Sequence, residues 1–107
     1  MYINSEQTND KKVGPMNIKE YKLTPQFSGA LIEINGNHGK VKCLKEDRIY
    51  YITEGYGDFF VEEEKFSVKK DDVVFVPMNT AYNFVGKMKI FLVCSPEFKK
   101  GDDVHLE

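Results

Sequence analysis

The sequence predicts an all-β fold, a sandwich or small barrel, on three observations. From Phe27 onward, short segments rich in β-branched and aromatic residues recur roughly every eight to twelve residues. Gly, Asn, Asp or acidic clusters separate them. No segment keeps apolar residues at helical spacing over the ten or so positions a helix needs. The 107 residues suit one domain. A hydrophobic content of 41%, with eight Phe and six Tyr, supplies enough apolar mass for a core and excludes whole-chain disorder.

Residues 1–24 are polar and read as an N-terminal arm, with Gly14-Pro15 interrupting any early element. Met16, Ile18, Tyr21 and Leu23 alternate loosely, which suits a strand added to a neighbouring sheet, swapped into a partner if the arm crosses over. The barrel is expected over 25–98. Its strands are predicted at 27–34, 40–44, 48–53, 58–62, 65–68, 73–76, 81–85 and 89–94. Between them stand Asn35-Gly36-Asn37, Lys45-Glu46-Asp47, Gly55-Tyr56-Gly57, Glu63-Glu64, Lys70-Asp71-Asp72, Pro77-Met78-Asn79 and Gly86-Lys87, all read as breakers. Residues 99–107 form a charged, peripheral tail. Ile49-Tyr50-Tyr51-Ile52 and Val73-Val74-Phe75-Val76 are apolar on both faces. One face of such strands lines the barrel, and the other meets a second sheet, the arm or another subunit.

Charge excludes some partners. Fifteen Lys and Arg against seventeen Asp and Glu leave a net charge of −2, too little field to argue for nucleic acid or an anionic membrane. No apolar run approaches the ~18 residues of a membrane span, and the N-terminus is not signal-like. Cys43 and Cys94 are too few for a disulfide scaffold or a four-ligand zinc site, so free thiols in the cytoplasm are expected.

The order of strands and breakers from about Phe27 to Phe98 resembles the cupin superfamily of jelly-roll β-barrels. The first cupin motif runs Gly, five residues, His-x-His, three or four residues, Glu, six residues, Gly. Gly36 and Gly55 stand at its ends, and Lys42, Leu44 and Arg48 at its ligand positions; the longer spacer places Val41 and Cys43 there instead. In the second motif, Asp71, Pro77, Asn79, Tyr82 and Gly86 occupy the marked positions, and only the proline is kept. The resemblance implies that metal-dependent members hold iron, manganese, nickel, copper or zinc where this chain has Lys42, Leu44, Arg48 and Tyr82. Ammonium, guanidinium and an aliphatic side chain offer a metal no lone pair, so no metal cofactor is expected.

The resemblance then points to a ligand-binding cavity built from Lys42, Arg48, Tyr50, Phe75, Tyr82 and Phe84. Two inward cations without an inward carboxylate would favour an anion; the aromatics, Phe91 among them, would stack a sugar ring or pack as core. Arg48 pairs instead with Glu33 or Glu54, and Lys42 snorkels to water, if the positions are merely structural. His38 lies in the loop before the motif, where a histidine is usually solvated. The expected function is a metal-free barrel binding a small anionic or sugar-like molecule, as a homodimer. The alternatives are a metal-independent sugar-nucleotide isomerase or epimerase and a structural barrel with a filled interior. Arg48→Ala and Tyr82→Phe are expected to weaken ligand binding without unfolding the protein.

Overall fold

The computed structural model describes residues 1–106, and they form nine strands. These are β1 (Asn9–Val13), β2 (Met16–Thr24), β3 (Phe27–Asn37), β4 (Val41–Cys43), β5 (Asp47–Val61), β6 (Glu64–Lys69), β7 (Val73–Val76), β8 (Ala81–Ser95) and β9 (Asp103–His105). The all-β expectation holds, and among the described residues no helix is long and apolar enough to cross a membrane.

The two 15-residue strands β5 and β8 are the spine. They pair antiparallel from Asp47↔Ser95 to Val61↔Tyr82. The free edge of β8 carries β3 along most of its length and then β4; that of β5 carries β7 and then β6. The sheet curls because the spine bends midway, and there the reading of Gly55-Tyr56-Gly57 and Gly86-Lys87 as breakers fails. Both strands run straight through these residues. Gly57 pairs with Gly86, and Gly55 takes a φ of 85° that L side chains rarely adopt. A glycine signal marks a sharp bend as readily as a chain end.

The 1–24 segment is a β1–β2 hairpin whose second strand is hydrogen bonded to β3 of the same chain, Met16 opposite Ile34. Residues 99–106 are not peripheral: β9 pairs with β4, Val41 opposite His105 and Cys43 opposite Asp103.

Alternation sorts inside from outside. Tyr50, Ile52, Phe59, Tyr82, Phe84, Ile90 and their neighbours are buried in one core. Phe59 and Phe84 stack at 4.8 Å, with the Tyr50 ring 5.3 and 5.5 Å from them. Each fully buried ring contributes about 1.5–3 kcal/mol over an exposed one.

Candidate functional site

Arg48 sits on the inner face of β5 and is 3% exposed. An isolated buried guanidinium would be prohibitive, and this one has partners on every side. Nη1 donates to Tyr82 OH at 2.7 Å, and Nη2 donates to Glu46 Oε1 at 2.9 Å and Asp103 Oδ1 at 2.8 Å. The ring of Phe98 covers its flank at 5.7 Å. Burial opposes the charge, but the surrounding oxygens, those of Tyr50, Tyr82 and Asp103 foremost, more than offset it and hold the pKa above its ordinary value. Its partners are therefore Glu46 and Asp103, not Glu33 or Glu54; Glu54 lies 4.0 Å from Lys89 instead.

The hydrogen-bond chain continues from Arg48 to the tyrosines. Tyr50 OH donates to Tyr82 OH at 2.7 Å. Tyr82 oxygen thus accepts from both Arg48 and Tyr50, and its own O–H remains to be donated. Burial pushes Tyr82 up to about 12 even though Arg48 pulls it down, and burial lifts Tyr50 well above the usual phenol range. Both are protonated donors at neutral pH.

His38 is half-buried rather than solvated. Its ring stacks on Phe84 at 4.4 Å and lies 5.6 Å from Tyr82. Its loop is pinned: His38 N–H donates to Phe84 O, and Gly39 N–H to Asn83 Oδ1, each at 2.8 Å. Nδ1 lies 2.7 Å from Gly39 O. A carbonyl only accepts, so the proton is on Nδ1 and Nε2 keeps its lone pair. Burial holds the imidazole below its usual pKa, so it is neutral.

Of the six predicted residues, Arg48, Tyr50, Tyr82 and Phe84 come together. Lys42 and Phe75 do not. On β4, Val41 and Cys43 face the core and Lys42 faces away, so the longer motif spacer gives the true parity. On β7, Val74 and Val76 are buried while Phe75 is 55% exposed; Phe91 likewise faces outward, beside Tyr21. The argument for an anion loses its premise. The site holds one cation, not two, together with the carboxyls of Glu46 and Asp103. Sequence reasoning passed over both acids. Glu46, two residues before Arg48 in an extended chain, shares its face and was readable in principle; Asp103 arrives through a 55-residue separation that no local signal announces.

A transition metal does not fit here. Arg48 presents N–H groups and positive charge, Tyr50 and Tyr82 stay protonated, and burial raises both Cys43 and Cys94. Among the described residues no three His, Cys, Asp or Glu side chains gather as ligands. A surface cavity of about 700 Å³, lined in part by Lys12, Glu33, Tyr56 and Lys87, includes none of the residues of this site.

Comparison with known proteins agrees with this fold. No protein-family profile matches the chain. Uncharacterized protein MJ1618 of Methanocaldococcus jannaschii is 34% identical over 92 residues, covering 81% of this chain and 74% of that protein. The solved structure of Pac13, described as a unique nucleoside dehydratase, superposes with a TM-score of 0.92 at 20% identity, covering 100% of this chain and 91% of that one. Streptomyces Pac13 is also known with uridine as variants carrying a Tyr-to-Phe or a His-to-Gln change, one at a TM-score of 0.93 and 21% identity. KdgF from Halomonas sp. superposes at 0.82 with 18% identity, covering 95% and 96%. An RmlC-like cupin from Shewanella frigidimarina superposes at 0.80 with 19% identity, covering 94% and 93%.

Proposed function

We propose that this chain, whose fold is that of the cupin barrels, binds a small neutral molecule of nucleoside or sugar-like class against His38, Tyr82 and the Arg48 network. The observation that carries this reading is unused hydrogen-bonding capacity at one place: the O–H of Tyr82 and the Nε2 lone pair of His38. A sugar hydroxyl both donates and accepts and would satisfy both. The half-buried ring of His38, backed by Phe84, suits a planar base, and the site's own carboxyls argue against an anion. That Pac13 has been solved with uridine, in variants altered at Tyr and His, supports the same class.

Uridine is accordingly the first probe. Calorimetric titration is expected to detect binding to the native chain, and His38→Gln and Tyr82→Phe each to weaken it by about tenfold, the worth of one hydrogen bond of ~1.4 kcal/mol. Saturating uridine and free sugars without heat or chemical-shift change would overturn the reading.

A second reading, proton transfer, is favoured by the His38 tautomer. A neutral imidazole with a free Nε2 beside a phenol polarised by Arg48 is a base and an acid within one pocket. It requires a substrate whose C–H is acidified by a neighbouring carbonyl, and the group lost or moved would take its proton from Tyr82.

The assembly proposed is a homodimer. Phe75, Ile49 and Val93 form one outward row across β7, β5 and β8, and Val73, Tyr51 and Phe91 the next. Val73 is 60% exposed. These rows span on the order of 200 Å² at ordinary strand spacing, enough for the apolar centre of a standard interface but not its whole. A second copy of the same face supplies an equally apolar, equally twisted surface. Light scattering at micromolar concentration should give twice the chain mass for the native protein and a single chain for Ile49→Asp combined with Phe75→Asp. A native monomer rejects the dimer.

A further inference from the structure

Glu46 is fully buried, and its two oxygens are treated unequally. Oε1 takes every donor in reach, namely Arg48 Nε and Nη2 and the Cys43 thiol. Oε2 has no donor at all. An ionised carboxylate oxygen left so would be costly. Its side-chain neighbour is another carboxyl, that of Asp102, which accepts Lys99 N–H at Oδ2 and whose backbone carbonyl is tied to Leu44, two residues before Glu46. Two carboxyls in contact, one of them buried, hold together when one proton lies between them and repel when none does.

Asp102 opens the C-terminal strand. Its carbonyl accepts Leu44 N–H at 3.1 Å, and four residues later Leu106 N–H donates to Lys40 O at 3.0 Å. Between these ties β9 contributes only three paired residues, and Asp103 reaches in to Arg48. The strand is the outermost of the sheet, on the edge of β4 away from β8, and it touches the site through Asp103.

We propose that one proton, carried on Glu46 Oε2 and donated to Asp102, latches the C-terminal strand onto β4, and that losing it releases the strand as a strap. The inference goes beyond the ligand reading and needs no ligand for its test; only its consequence, that release takes Asp103 off Arg48 and frees that guanidinium for a ligand, rests on that reading.

The direction follows from linkage. Burial first, and the Asp102 contact second, raise Glu46 from 4.5 to about 7 in the latched form. The latched form therefore holds the proton more tightly than the released one. Latching is complete below the ordinary carboxyl range and is lost as pH rises through about 7. The charged and titratable groups around Glu46 are Cys43 on β4, Lys45 in the following loop, Arg48 on β5, Cys94 on β8, and Asp102 and Asp103 on the tail. The thiols are raised by burial, and Asp102 is lowered by its contact with Glu46. His105 lies on the strand itself, opposite Val41, and is left unchanged in the variants that test Glu46.

Amide hydrogen exchange by NMR tests the strap directly. The protection factors of Leu44 and Leu106, relative to that of Ile90 in the spine, should fall about tenfold or more between about pH 5 and about pH 8 in the native chain. Glu46→Gln keeps a donor at this position, carries no charge and leaves His105 in place; its protection should be high and flat with pH. If that variant loses protection at Ile90 and so does not fold, Asp102→Asn removes the repulsion from the other side; burial still raises Glu46, so the loss of protection with pH should shrink severalfold rather than vanish. A native profile in which Leu44 and Leu106 track Ile90 at every pH overturns the proposal, and so does a native pH dependence that persists undiminished in the folded variant.

Discussion

Arg48→Ala is expected to lower stability by about 3 kcal/mol at pH 8 and by clearly less at pH 5, read as a shift in the urea midpoint. The sequence alone suggested that this change would touch ligand binding and spare the fold. The geometry adds a cost in stability. Among the described residues Arg48 is the only cation paired with buried Glu46 and part-buried Asp103, and it also donates to Tyr82 and to the Cys43 sulfur. Alanine strands these acceptors. Taking one member from a buried ion pair costs more than the pair contributes, because the remaining charge stays desolvated. The cost depends on pH because Glu46 can escape it by taking up a proton. Its pKa is already about 7 with Arg48 present, and removing a group that lowers it moves it higher. The variant is thus least destabilised where Glu46 is protonated and loses stability as pH rises through neutrality. With a typical margin of about 5–15 kcal/mol the variant should still fold. A loss below ~1 kcal/mol at both pH values would mean that the cluster is worth no more than a surface pair.

How much of this was legible in the sequence divides along physical lines. Fold class was, because alternation and turn chemistry are local. Side-chain direction was not. In Val73-Val74-Phe75-Val76 every residue is apolar, so no polar partner marks the outer face; Phe75 was assigned to the interior that Val74 and Val76 occupy. At Lys42 two motif spacers competed, and the structure follows the one that turns Val41 and Cys43 inward. Arg48, Tyr50, Tyr82 and Phe84 were found because their positions were read from a resemblance that carries parity with it. Glu46 sat within a stretch read as a breaker, and Asp103 within a tail read as peripheral. His38 was visible, but its stacking on Phe84 depends on a strand 44 residues away from the Gly39 that anchors the loop through Asn83. Long-range pairing is what local patterns leave out.

The glycines of the spine were the other misreading, and they carry the second large effect. Gly55→Ala should destabilise by about 3 kcal/mol or more, against about 1 kcal/mol for Gly14→Ala. Both glycines have positive φ, 85° and 54°, so both substitutions incur the backbone cost of an L side chain in that region. Only Gly55 adds a collision. A Cβ there would strike the Lys87 carbonyl oxygen and stand 2.8 Å from Met88 Cα, whereas one at Gly14 meets nothing within 4 Å. The atoms struck at Gly55 are backbone, which cannot rotate away as a side-chain end can, so β5 and β8 must separate at their bend. Phe59 lies beyond that bend and Tyr50 before it, yet the two rings touch at 5.3 Å. Separation there opens the aromatic cluster under Tyr82 and should weaken uridine binding together with stability, although Gly55 is no part of the site. Equal midpoint shifts for the two variants would show that the backbone cost alone is felt, and that the close crossing of β5 and β8 does not set the curl of the sheet.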